Sequence, residues 1–251
     1  MRQDREYGSR GRVGVGTPQP NPTVEPEVAA CLPPGISLLA VRLMSSQTDP
    51  KARLFDYVDN LGATLSTYSG LKLDAFGFAN TLASYLIGHE REDREVDALS
   101  QKFGYPIITG AKAIVAALKH LGAKRIAIGA PYPGWARDVC DAYYRGAGFD
   151  VVALKHIEVP STDIRSIYDL TSRDAIAALD GMDIAKADCI VFTGSGMPSL
   201  RAIVAAQTHH RQPTISTNLC LAWALSRAAG VEPPTGPHKL LNGWQQKVDA
   251  L

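Results

Sequence analysis

What most constrains this chain is an alternation along its length: short apolar runs of strand length, each followed by a stretch whose apolar residues recur at helical spacing. Alternation of this kind builds βαβ units and a mainly parallel sheet, because a parallel neighbour can be reached only through a crossover connection. Arg12 to Gly16, Ile36 to Leu43, Asp74 to Phe78, Pro106 to Ile108 and Lys124 to Gly129 read as strands. Asp150 to His156, Asp188 to Phe192 and Pro213 to Ser216 continue the pattern. Helices are expected over Pro50 to Tyr68, Ser84 to Phe103, Thr109 to Leu121, Pro133 to Ala147, Ser172 to Leu179, Pro198 to Ala206 and Asn218 to Ala229. The Pro18-Gln19-Pro20-Asn21-Pro22 run can be neither helix nor interior strand and reads as a loop of fixed shape.

Tyr105-Pro106-Ile107-Ile108-Thr109 and Gln212-Pro213-Thr214-Ile215-Ser216 each set proline, a short strand and a hydroxyl before a helix, which favours two similar lobes. With 251 residues the chain can bury a proper core. Its 26 basic against 25 acidic residues leave no field for nucleic acid or an acidic membrane surface. Cys31, Cys140, Cys189 and Cys220 form no Cys-x-x-Cys pair, which argues against a zinc site and a secreted disulfide framework and points to a reducing cytoplasm. No apolar run reaches the roughly 18 residues of a membrane span, and the start, Met1 to Glu6, lacks the apolar region of a signal peptide.

Two strand-to-helix corners carry the functional reading: Phe78-Ala79-Asn80-Thr81 and Phe192-Thr193-Gly194-Ser195-Gly196-Met197-Pro198. In open parallel sheets ligands sit outside the carboxyl ends of strands, where backbone N–H groups and the next helix N-terminus favour an anion. The two corners are therefore expected to form one site, with Thr81, Gly194, Gly196 and Met197 among its binding residues. Asn80 donates to a ligand or caps a helix. Asn21, beside Thr23 and Glu25, presents hydrogen bonds from a rigid loop or fills the usual turn role of asparagine. Tyr132 in Ala130-Pro131-Tyr132-Pro133 reaches the same anion or packs at a lobe boundary.

Other motifs carry less. Gly14 and Gly16 lack the third glycine and the helix of a dinucleotide loop. Ser195 lacks the glycine two before it that a nucleophile elbow needs. His209 and His210, in a loop-like stretch, have no further ligands near them in sequence, and no metal site is expected. His89 and His120 read as helix-surface residues, and Cys189 as a small buried hydrophobe.

Taken together, Asn21-Pro22-Thr23-Val24-Glu25-Pro26-Glu27, Leu32-Pro33-Pro34-Gly35, Ala130-Pro131-Tyr132-Pro133, Met197-Pro198-Ser199-Leu200 and Ser216-Thr217-Asn218-Leu219 with Ala222-Trp223-Ala224 resemble the Asp/Glu racemase superfamily. Within it they resemble the maleate cis–trans isomerase and arylmalonate decarboxylase group. The resemblance implies an α/β fold of two pseudo-symmetric lobes holding a small carboxylate between them, with no metal and no organic cofactor. We expect a mobile tail over residues 1–11, a first lobe over 12–121 with 217–251, and a second over 122–216, the stretch after Gly230 being irregular.

The group's chemistry rests on a cysteine at each corner. In this chain those positions fall on Asn80, aligned through Ala79-x-Thr81, and on Gly194, aligned through Met197-Pro198-Ser199. An amide cannot replace a thiol as base. The leading expectation is thus a cofactor-independent isomerase or C–C lyase on a small carboxylic acid, with Asn80, Ser195 and Tyr132 as catalytic candidates. A hydrolase of a small amide or lactone, using Ser195 or a bound water, is the alternative, and a non-catalytic carboxylate-binding protein is a third. A small-molecule carboxylate is the expected partner, with neither nucleic acid nor membrane, and a homo-oligomer stays open.

Overall fold

The structure, a computed structural model, describes residues 5–161 and 163–233. Its elements run β1 (Gly11–Pro18), α1 (Val24–Cys31), β2 (Ile36–Leu43), α2 (Pro50–Asp59), α3 (Leu61–Ser66), β3 (Ala75–Phe78), α4 (Thr81–Phe103), β4 (Ile107–Thr109) and α5 (Gly110–His120). They continue with β5 (Arg125–Ala130), α6 (Gly134–Gly146), β6 (Asp150–His156), a 3-10 helix (Ile164–Asp169), α7 (Ser172–Leu179), β7 (Cys189–Phe192), α8 (Leu200–His209), β8 (Thr214–Ser216) and α9 (Thr217–Ala228).

The strands form two four-stranded sheets, ordered β2-β1-β3-β4 and β6-β5-β7-β8. Every pairing is parallel. The second order is the first with each number raised by four, so the chain builds the same α/β unit twice, as two lobes flanked by helices. Inner strands are covered on both faces, which is why β3 and β7 read as unbroken apolar runs rather than as alternation. Both sheets contribute to one main core: Val13, Val15 and Phe76 from the first, Ile126, Ile190 and Phe192 from the second.

α9 packs against α1, α5 and β3, and α4 packs against α6. On these contacts we propose that α9 returns to complete the first lobe. Gly11 already pairs with Ile36 in β1, and the expected irregular tail lies, from residue 234 onward, outside the described residues.

Several elements differ from the sequence reading. Helix α1 lies where a loop was expected to continue, because Pro26 is its third residue and proline is tolerated in a first turn, where no N–H partner is needed. The helix expected over Pro50 to Tyr68 is two, α2 and α3, broken at Asn60. α4 begins three residues before Ser84 and kinks at Gly88, whose φ of 71° leaves the helical region. His209 closes α8 instead of lying in a loop. The 3-10 helix was invisible because its three-residue turn leaves no 3.6-residue period to read.

Candidate active site

The carboxyl ends of β1, β3, β5 and β7 converge on one cavity of about 430 Å3, reached by Pro18, Asn80, Tyr132 and Gly194 from the four connections. Asn21, Thr81, Ser195 and Gly196 also line it, so residues expected at both corners share one space. Met197 does not: it is 1% exposed and packs in the core. Its place after two glycines suggested the wall, but the turn carries its side chain inward.

Each amide does two jobs. Asn80 Oδ1 accepts from the Ala83 N–H at 3.1 Å, capping α4. Asn21 Oδ1 accepts from the Thr23 and Val24 N–H groups at 2.8 and 3.2 Å, fixing the start of α1. Their oxygens are thereby spent, and what each can offer a ligand is its N–H donors. For Asn21 this is sharp, because its Nδ2 is buried with no partner among the described residues. An unpaired buried donor costs about 1–3 kcal/mol, which an acceptor in the cavity would recover.

The second corner is tied to the first by buried bonds. Ser195 Oγ donates to the Ala79 carbonyl at 2.7 Å and Thr23 Oγ1 donates to the Gly196 carbonyl at 2.8 Å. Gly194 has a φ of +102°, and a Cβ there would lie 3.1 Å from Pro131. At Gly196 a Cβ would meet the Tyr168 ring at 2.6 Å. Small residues stand at this turn because backbone and ring approach too closely for a side chain.

Tyr132 joins the corners through its hydroxyl, 2.8 Å from Thr81 Oγ1 and 3.3 Å from Thr193 Oγ1. Thr193 Oγ1 lies 2.7 Å from Tyr85 OH, which lies 2.7 Å from Tyr144 OH. Burial pushes the Tyr132 phenol above its ordinary range, so it remains a neutral O–H. The same term raises Tyr168 at the cavity mouth.

Sequence reasoning missed the mouth. Arg53 on α2 and Arg165 on the 3-10 helix line it, but both are engaged: Arg53 donates to the Gln47 carbonyl at 2.9 Å, and Arg165 pairs with Asp163. The Arg165 guanidinium draws the Asp163 carboxyl down to about 2. Gln19 holds the Ser45 backbone with both side-chain ends, at 3.2 Å each. Only Gln19, inside the proline run, had a local signal.

Among the described residues no cysteine, histidine, aspartate or glutamate lines the cavity. All four cysteines are buried elsewhere as free thiols, and burial pushes Cys140, Cys189 and Cys220 up. Ser195, its proton given to a carbonyl and with no neighbouring base, is not arranged as a nucleophile. No group of three or more potential metal-ligating side chains occurs among the described residues.

Twin parallel α/β lobes with their strand ends on one shared cavity define an enzyme of the isomerase and decarboxylase type. The maleate isomerase Iso of Pseudomonas putida S16, solved with maleate, superposes with a TM-score of 0.83 at 25% identity, covering 93% of this chain and 98% of that one. An arylmalonate decarboxylase structure shares the fold, with a TM-score of 0.71 at 18% identity over 87% of this chain and 92% of that one. In sequence, a maleate isomerase of Pseudomonas putida is 28% identical over 253 residues, covering 92% of this chain and 97% of the relative. The family model described as arylmalonate decarboxylase matches residues 13–241, and the chain belongs to that family.

Proposed function

We propose that the chain binds a small carboxylic acid in the cavity and removes carbon dioxide from it. The observation that supports this is the make-up of the wall, where donors gather and no thiol, imidazole or carboxylate stands. Asn21 Nδ2, the Asn80 amide nitrogen and the Thr81 and Tyr132 hydroxyls can face an anion together. Cis–trans isomerisation needs a nucleophile that adds to the double bond, and racemisation needs a base to take a proton from carbon. Decarboxylation needs neither at the outset. The C–C bond breaks, carbon dioxide leaves, and the electron pair passes into an adjacent carboxyl as an enediolate that the donors stabilise. Tyr132 or water then protonates the carbon, and a Tyr132 phenolate regains its proton from water. Four free buried cysteines fit a reducing compartment.

The test is incubation of the purified protein with substituted malonates and with maleate in D2O, followed by mass spectrometry. Loss of carbon dioxide with one deuterium gained at carbon is expected. Conversion of maleate to fumarate would replace this reading with isomerisation, and binding without turnover would leave a carboxylate-binding protein. Asn21→Asp keeps the two capping bonds but turns a donor into an acceptor, so carboxylate affinity should fall by about 1–3 kcal/mol while the thermal midpoint holds. Calorimetry on the variant checks it.

A further inference from the structure

Glu27 stands behind the cavity wall and touches nothing in the cavity, yet it governs the second corner. Its Oε1 accepts from the Ser199 and Leu200 N–H groups at 2.6 and 3.1 Å, at the start of α8. Its Oε2 accepts from Ser199 Oγ at 3.0 Å and from Asn218 Nδ2 at 2.9 Å. Four donors are the complement of an ionised carboxylate, which offers about four lone-pair sites and no proton of its own. The partners come from 172 to 191 residues away, so this one side chain of α1 ties α8 and α9 to the Asn21 loop. Asn218 Nδ2 also donates to the Ser195 carbonyl at 3.1 Å, which carries the constraint to the cavity wall.

The first corner lacks any such plug. Thr81 and Leu82, the first residues of α4, line the cavity, and no acceptor stands against their backbone N–H groups among the described residues. A helix N-terminus with free N–H groups attracts an anion, and both corners end on one. The chain supplies its own anion at α8 and none at α4.

We infer that Glu27 is a positioning residue that fills the N-terminus of α8 with an internal carboxylate, leaving the N-terminus of α4 to take the carboxylate of the ligand. This breaks the symmetry of the two lobes and sets which way round an acid lies. Resting on the proposed decarboxylation, the inference assigns the retained carboxylate to the Asn80–Leu82 corner. The carboxylate to be lost then points at the Gly194–Gly196 turn, where the helix donors are already taken and its charge gains least. A group destabilised in the ground state and neutral once released is favoured to leave from such a place.

Glu27→Ala and Glu27→Gln test this with formate and maleate as probes. In Glu27→Ala, formate should raise the thermal midpoint saturably and well beyond its effect on wild type, because it refills the vacated carboxylate position. Matched sodium chloride should not. In Glu27→Gln the new amide faces Asn218 Nδ2 and forces it off the Ser195 carbonyl, so maleate should bind about tenfold more weakly while far-UV circular dichroism is unchanged. Wild-type affinity for maleate in the Gln variant overturns the inference, whatever formate does. If the Ala variant fails to fold, the Gln variant alone decides. If wild type binds neither maleate nor malonate, the carboxylate reading of the cavity fails separately, and formate rescue of the Ala variant still supports or refutes the filling of α8.

Discussion

Asn21 and Asn80 each hold a helix start with one side-chain atom and keep the other for the cavity. The functional and the ordinary reading of each were never exclusive, because an amide has an acceptor at one end and donors at the other. Gly194 poses a sharper question. With its φ of +102° and a Cβ position 3.1 Å from Pro131 and 3.2 Å from Ile167, Gly194→Cys would be strained by both backbone and neighbours. We expect it to lower stability by about 1–3 kcal/mol, and to yield a protein with a depressed thermal midpoint rather than a restored thiol enzyme. A variant that melts like wild type and gains racemase or isomerase activity would show that the turn can open. The corner residues were legible because they sit where strands end. Glu27 was not, because its partners are distant in sequence and a carboxylate on a short helix looks like any solvated one.

At the scale of elements, the caps and kinks decide where side chains meet. The non-helical Gly88 divides α4, and past it the buried Glu92 accepts from Thr109 Oγ1 and Tyr143 OH, both at 2.5 Å. One carboxylate thus joins α4, the start of α5 and α6. Glu92→Gln can satisfy one of these hydroxyls with its carbonyl, but its NH2 cannot accept from the other. We expect a loss of about 1–3 kcal/mol in chemical denaturation. Maleate affinity should not change, since Glu92 lies away from the wall. Weaker maleate binding in that variant would mean that the α4–α6 contact reaches the cavity. The Ser84 to Phe103 periodicity revealed a charged helix, but not its entry into the interior or the change of course at Gly88. Hydrophobic period reports which face is apolar and says little about a single buried acid.

Across the whole molecule, the two sheets repeat one order, while α9 crosses back and Trp223 within it is 2% exposed in the shared core. The Ser195, Thr23 and Glu27 bonds hold the lobes together around the cavity. Lobes joined this way should unfold as one unit. Tryptophan fluorescence and far-UV circular dichroism should therefore trace coincident urea transitions, and a first transition seen by only one probe would show that a lobe opens alone. The alternation of strand and helix determined the parallel two-lobed fold, and the strand ends determined which loops would meet, because both follow from local periodicity and the right-handed crossover. Only the tertiary structure decided that the thiols lie elsewhere, that Arg53 and Arg165 frame the mouth, and that one helix end is filled by Glu27 while the other faces the cavity. Those features depend on contacts between residues tens to nearly two hundred positions apart, and nothing in a local stretch of chain records them.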